Sequence, residues 1–394
     1  MKKIIPLIGL LIFALSSLQA QTKLDKAKFT INNGDHYTKK PVVALDIEAQ
    51  GAIEMKVSNS KGFPYADWIT YKEQVEGWKL SEGDGDKTVY IKLRDESGNE
   101  SKTISSDIVL DTQPPQNIGF SIYQGSVTND NTLIVDLELR AKGAKFVMLS
   151  NRKSFYGQRW QIFRKNFDGW RLASGEDGMR HVYAKFKDAA QNESEVIHEQ
   201  ILVDTQAPMA GKVVINGGEP VTTQKDRQVK VYIFVREADS MMVSQNEKFE
   251  EASWEPYQKG ERVLTLTEGD GKKMVYVKFK DRASNVSQLY SDEIYIDTTP
   301  PRDCSILIDG GAESTNHYDK KVTLDLKAKG AAYMKISNLE SFYGAKWKRY
   351  KPKVKGWSLE GEDDGEKTVF VKFKDRAGNV SSIFSDAIVL KRSN

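Results

Sequence analysis

The 394-residue chain carries 58 Lys and Arg against 55 Asp and Glu, and its first basic residues, Lys2 and Lys3, stand before an apolar run. Without those two, 56 basic residues face 55 acidic ones. This balance leaves no electrostatic footprint for nucleic acid or an anionic membrane. The single cysteine, Cys304, excludes an internal disulfide and leaves each domain to its hydrophobic core; it reads as a quiet, half-buried thiol near a domain start.

Residues 1–20 have the order of a secretory signal peptide. Lys2 and Lys3 precede the apolar run Ile4 to Leu15, and Ser16-Ser17-Leu18-Gln19-Ala20 supplies small residues before cleavage after Ala20. The run is well short of the ~20 apolar residues that span a bilayer, so export is expected and direct membrane insertion is not.

After residue 22 the chain repeats. Asp111-Thr112-Gln113-Pro114-Pro115 returns as Asp204-Thr205-Gln206-Ala207-Pro208 and as Asp297-Thr298-Thr299-Pro300-Pro301, 93 residues apart each time. Trp68, Trp160, Trp254 and Trp347 follow the same spacing; Trp78, Trp170 and Trp357 lie ten residues further on, with Leu264 in the third copy. A period of this length can bury its own core, unlike a solenoid repeat. Four domains are predicted, at 23–113, 114–206, 207–299 and 300–394.

Within each copy the apolar period is two. Val43, Leu45 and Ile47 alternate with polar or small neighbours, as do Val135, Leu137 and Leu139, and Val322, Leu324 and Leu326. The stretch Val89-Tyr90-Ile91-Lys92-Leu93-Arg94-Asp95 has counterparts at 182–188, 275–281 and 369–375, with apolar residues facing in and Lys or Arg facing out. A turn rich in Gly and Asn follows, then a last strand such as Ala387-Ile388-Val389-Leu390. About seven short strands per copy predict an all-β fold: four tandem immunoglobulin-like β-sandwich domains in an extended array. The prolines after each Asp-Thr end the last strand and stiffen the junction.

The block Trp347, Tyr350, Trp357, Gly361 to Gly365, Lys367 to Asp375 and Ala377-Gly378-Asn379, with the Asp-Thr-x-Pro-Pro linker, resembles bacterial immunoglobulin-like and fibronectin type III-like tandem repeats of the cell envelope. The signal peptide resembles those of Bacteroidota. Such modules serve as spacers, adhesins and scaffolds, so the resemblance implies fold and says little of function. Asp239-Ser240-Met241 also resembles a Bacteroidota O-glycosylation site.

Three groups of residues are candidates for function. The acidic glycine loops place Asp84, Asp270, Asp363 and Asp364 as calcium candidates, with Asp111, Asp204 and Asp297 at the junctions. Their spacing lacks the EF-hand register, and turn geometry alone explains Asp beside Gly. Among the aromatics, Trp68, Trp160, Trp254 and Trp347 are expected between the sheets, while Tyr65, Tyr156, Tyr343, Trp78, Trp170 and Trp357 are candidates to face a ligand. Asn99, Asn192, Asn285 and Asn379 each begin an Asn-x-Ser sequon on the same turn.

Catalysis finds no support. His36, His181, His198 and His317 are scattered, and neither a nucleophile elbow, a zinc spacing nor a phosphate-cradling loop occurs. No cofactor is implied. The expected role is a non-enzymatic exported scaffold or spacer that binds another envelope or outer-membrane protein; the alternative is a carbohydrate-binding or adhesin array using exposed aromatics. The absence of a sortase motif and of a separate sorting domain favours the periplasm or an outer-membrane-associated place, with secretion or the cell surface second.

The extended array has a measurable length. Strands of about seven residues at ~3.3 Å each, plus end loops, make a sandwich of roughly 35–40 Å. Four in line reach on the order of 140–160 Å, and small-angle scattering giving a maximum dimension below about 90 Å would remove the extended array.

Overall fold

The computed structural model describes residues 24–391; the predicted signal peptide lies outside them. In the first copy the strands are β1 (Lys28–Ile31), β2 (Tyr37–Thr38), β3 (Val42–Glu48), β4 (Ala52–Ser58), β5 (Ile69–Thr70), β6 (Gln74–Lys79), β7 (Gly85–Asp95) and β8 (Ile104–Leu110). They form a three-stranded sheet, β1-β3-β6, and a five-stranded sheet, β2-β8-β7-β4-β5. Only β2 runs parallel to its neighbour, β8. The same pair of sheets recurs three more times, so the chain is four sandwiches. The count of eight strands exceeds the sequence expectation because β2 and β5, two residues each, are too short to show a period. The chain divides into two compact units between Thr205 and Gln206, each with two sandwiches.

The alternating pattern does what its period requires. In β7, Val89, Ile91 and Leu93 have no exposed surface, and Phe186, Phe279 and Phe373 take the place of Leu93 in the later copies with none either. In the same core clusters Leu45, Leu137, Val231 and Leu324 come from the three-stranded sheet, and Met55, Val147, Met241 and Met334 from the strand beside β7 or its counterpart. The turn after β7 is built around a buried carboxylate. Asp95 Oδ1 accepts the backbone N–H of Ser97 and Asn99, and Oδ2 accepts the Asn99 amide. Burial pushes this carboxyl up, but the Asn99 bonds and those from Ser97 and Gly98 outweigh it and hold it low. Asp188, Asp281 and Asp375 repeat the arrangement.

The tryptophans depart from expectation. Trp68, Trp160, Trp254 and Trp347 do not sit between the sheets. Each lies half-buried on the outer face of the five-stranded sheet, under the outward cation of the β7 strand or its counterpart: Arg94, Lys187, Lys280 and Lys374 lie 4.4, 4.6, 4.5 and 4.7 Å from the ring centroids. Just ahead of a two-residue edge strand, their parity relative to the core cannot be read from the sequence. It is Trp78, Trp170 and Trp357 that pack against the core clusters, each Nε1–H donating to the side chain of Asn59, Asn151 or Asn338. A bulge before each of them, at Gly77, Gly169 and Gly356 with φ of 74°, 73° and 68°, shifts the register of the edge strand. Copy three has Val263 there, no bulge, and Leu264 in place of the ring.

Placement sets the cost of removing each ring. Trp357→Ala takes away a core-packed ring and should cost about 3 kcal/mol, lowering the fourth sandwich's calorimetric transition by more than ~10 °C. Trp347→Ala removes a cation-covered outer ring, a loss of about 1 kcal/mol. Equal shifts in the two variants would contradict this division.

Candidate functional site

The acidic loops meet the linkers. Asp84 accepts the Thr112 backbone N–H at 3.2 Å and its hydroxyl at 3.1 Å; Asp177 does the same for Thr205 at 2.9 and 3.0 Å. Asp270 accepts the Thr298 N–H and hydroxyl, and the Thr299 hydroxyl at 2.6 Å. The threonine of each Asp-Thr linker is thereby latched to the loop that precedes β7 or its counterpart in its own sandwich. The hydroxyls of Thr299 and then Thr298 hold the Asp270 carboxyl below its usual range. Asp363 and Asp364 lie in the equivalent loop of copy four. Among the described residues no three His, Cys, Asp or Glu side chains converge as a metal-binding group.

From the other side, the buried turn of the following sandwich grips the same linker. Asn192 donates its amide to Asp188 and, at 2.7 Å, to the carbonyl of Asp111. Lys39 adds a bond to the Gln191 carbonyl. In the second unit Asn379 donates to Asp375, to the Asp297 carbonyl at 2.8 Å and to its carboxylate at 3.2 Å. Burial pushes the Asp297 carboxyl up, and the charges of Asp375 and Asp270 add to it. Two sequon asparagines are thus junction residues, with amide hydrogens committed to the clamp; Asn99 and Asn285 likewise donate to the buried carboxylates of their turns.

The exposed aromatics sit on one recurring loop. After β4 and its counterparts, Ser58, Ser150, Ser244 and Ser337 each accept the backbone N–H two residues on. Two successive turns then pass through Phe63, Phe155, Phe249 and Phe342, each at φ near +55°. This geometry pushes Tyr65, Tyr156 and Tyr343 into solvent, at 104%, 84% and 88% exposure. Trp78, Trp170 and Trp357 belong to the core packing instead, with only part of each ring accessible.

One grouping was invisible in the sequence. His181, Tyr183 and His198 come together on the outer face of the second copy's five-stranded sheet, ring centroids 5.5–6.2 Å apart. Only the strand register, with Tyr183 opposite His198, brings the two histidines together. Cys304 is half-buried, its thiol directed at the Pro301 carbonyl at 3.4 Å; burial, then the Asp303 charge, push that thiol up. Ser240 of the Asp-Ser-Met triplet opens a strand paired with Lys280.

No protein-family model matches the chain, and no curated protein matches it. Among solved structures it is similar to a tetra-tandem repeat in the extending region of a large adhesion protein, at 16% identity and a TM-score of 0.32, covering 93% of this chain and 99% of that one. It is also similar to the fibronectin(III)-like modules of CbhA from Clostridium thermocellum, at 11% identity and 0.28, covering 45% and 94%. A third is the FN1–FN3 domains of chicken CNTN1, at 10% and 0.30, covering 68% and 97%. The four-sandwich fold rests on the eight sheets themselves.

The third junction should respond to pH with opposite signs at its two carboxylates. Asp270, held low, contributes stability above the ordinary carboxylate range that is lost as pH falls through its lowered value. Asp297, pushed up, costs stability as pH rises from the ordinary value through its raised one. At pH 7, Asp270→Asn should speed hydrogen exchange at Thr298 and Thr299, and Asp297→Asn should slow it. The Asp297→Asn difference should fade first, as pH falls through the raised value of Asp297, and the Asp270→Asn difference only at lower pH, as Asp270 protonates below the usual carboxylate range. An Asp297→Asn difference that persists at about pH 3, where the wild-type Asp297 is neutral, would show that its charge is not the cause.

Proposed function

We propose that this chain is a non-enzymatic, exported scaffold or spacer that holds its sandwiches in set relation and binds another cell-envelope protein. The observation that carries the reading is the two-sided clamp on the linkers. Within the first unit, Asp84 grips Thr112 and Asn192 grips Asp111; within the second, Asp270 grips Thr298 and Asn379 grips Asp297. Side chains from both flanking sandwiches are committed to fixing a short proline-bounded segment. That is what a spacer needs, and it contributes nothing to a reaction. The outer faces suit a role in protein contact, because strands end in exposed loops that repeat in form and differ in sequence.

The exposed tyrosines support a second reading, a carbohydrate-binding array. Tyr65, Tyr156 and Tyr343 present amphipathic rings on equivalent loops, the form in which aromatic side chains stack on sugar faces. We place the protein in the periplasm or at the outer membrane, exported by its signal segment.

Cross-linking the tagged full-length chain in its own envelope should yield one saturable protein adduct, unchanged by Tyr65→Ser with Tyr156→Ser. Recovery of envelope polysaccharide instead, lost in that double variant, would establish the carbohydrate reading. A chain found in the cytosolic fraction would overturn both.

A further inference from the structure

One register position decides whether the open side of each sandwich is filled. On the edge strand β6 and its counterparts, the residue opposite Leu45, Leu137, Val231 and Leu324 is Val75, Phe167, Arg262 and Val354. On the facing edge, the residue opposite Met55, Val147, Met241 and Met334 is Ile69, Gln161, Glu255 and Lys348. Copy two fills the space with the buried ring of Phe167. Copy three closes it with the Arg262–Glu255 ion pair. Copy four does neither. Val354 is small, and Gly344 and Ala345 line the opening without covering it.

The result is a groove in the fourth sandwich. Met334, Ile336, Val354 and Trp357 form an apolar floor to a cavity of about 320 Å³, walled by Lys346 and Lys348. A second cavity of about 570 Å³ shares Ile336, Gly344, Ala345 and Trp357 and runs to Tyr343. Both volumes fall in the ~300–1,000 Å³ range of ligand sites. Lys346 and Lys348 are exposed, and neither makes an ion pair among the described residues. Copy one, with Asp67 and Ile69 at these two places, lacks the basic wall.

We propose that this groove binds an extended segment of a partner protein, which inserts an aliphatic side chain over Met334 and Val354 and sets a carboxylate against Lys346 and Lys348. The proposal rests on the protein-binding reading above and gives it a place. The floor selects the occupant: thioether and branched aliphatic groups favour an apolar side chain, whereas a sugar stacks on an open aromatic face, and Trp357 keeps its ring in the core with Nε1–H bonded to Asn338. The two lysines, lacking an acidic partner of their own, supply the complementary charge.

The test uses fluorescence polarisation of the full-length chain with a labelled peptide of about ten residues alternating leucine and aspartate. The wild type should bind it saturably, and peptides with alanine for leucine or lysine for aspartate should not bind. Val354→Phe places in the groove the residue that copy two already accommodates, and should weaken binding at least tenfold with an unchanged melting curve. Lys346→Glu with Lys348→Glu, both at the surface, should do the same. Absence of saturable binding by the wild type, or equal affinity in Val354→Phe, would overturn the assignment. So would displacement of the peptide by an oligogalacturonate, which would mark the occupant as an acidic saccharide. If Val354→Phe still forms the envelope adduct, the groove assignment falls and the scaffold reading stands. Groove-dependent peptide binding with no envelope adduct supports the groove and removes the scaffold.

Discussion

The pleat of the central strand governs this protein. In β7 and its three counterparts, side chains of the second half alternate between a dry interior and the outer face, so one stretch of ten or eleven residues has two jobs. Its inward set, ending in Leu93, Phe186, Phe279 or Phe373, forms the middle of each core. Its outward set carries the cations that lie over Phe155, Phe249, Phe342 and the four outer tryptophans. The long aliphatic stems of Lys and Arg cover these rings while their charge stays wet. A slip of one residue would exchange both sets at once, which makes the register well determined.

The same strand determines how copies are joined. It ends in the buried aspartate that organises the next turn, and the asparagine of that turn has one amide hydrogen for this aspartate and one to spare. At Asn192 and Asn379 the spare hydrogen goes to the carbonyl of the preceding linker. The device that closes a sandwich therefore also holds its neighbour's tail. The acidic loop before β7 supplies the opposite grip through Asp84, Asp177 and Asp270. Carboxylates that look in sequence like loose turn residues thus acquire partners 28 residues away.

Repetition conserves the frame and releases particular positions to vary. The edge-strand residue that is Val75, Phe167, Arg262 or Val354 meets the same leucine or valine in each copy, yet presents a short valine in copies one and four, a ring in copy two and an ion pair in copy three. Copy three also gives up the glycine bulge and takes Leu264 for the ring, so its edge strand pairs without a register shift. Divergence of this kind leaves each core intact, because the central strand keeps three fully buried apolar positions in every copy, the first of them Val89, Val182, Val275 or Val369.

The four sandwiches were legible in the sequence, since a 93-residue repeat and a period of two report directly on a chain that buries one face of each strand. The positions of the linkers were legible because proline cannot continue a strand ladder whatever surrounds it. What could not be read was the side of the sheet on which a loop residue lands. Trp68 and Trp78 recur with equal regularity, yet the first is held outside by Arg94 and the second turned inward by the bulge at Gly77. Recurrence conserves a contact without saying whether it is dry or wet. The latches between Asp84 and Thr112, the meeting of His181 with His198, and the groove floored by Met334 and Val354 each join residues far apart along the chain. The local pattern, period and turn chemistry determined by themselves that this chain makes four β-sandwiches. Only strand register and loop geometry decided which of its aromatics, carboxylates and lysines face one another, because those contacts depend on distances that no local sequence rule encodes.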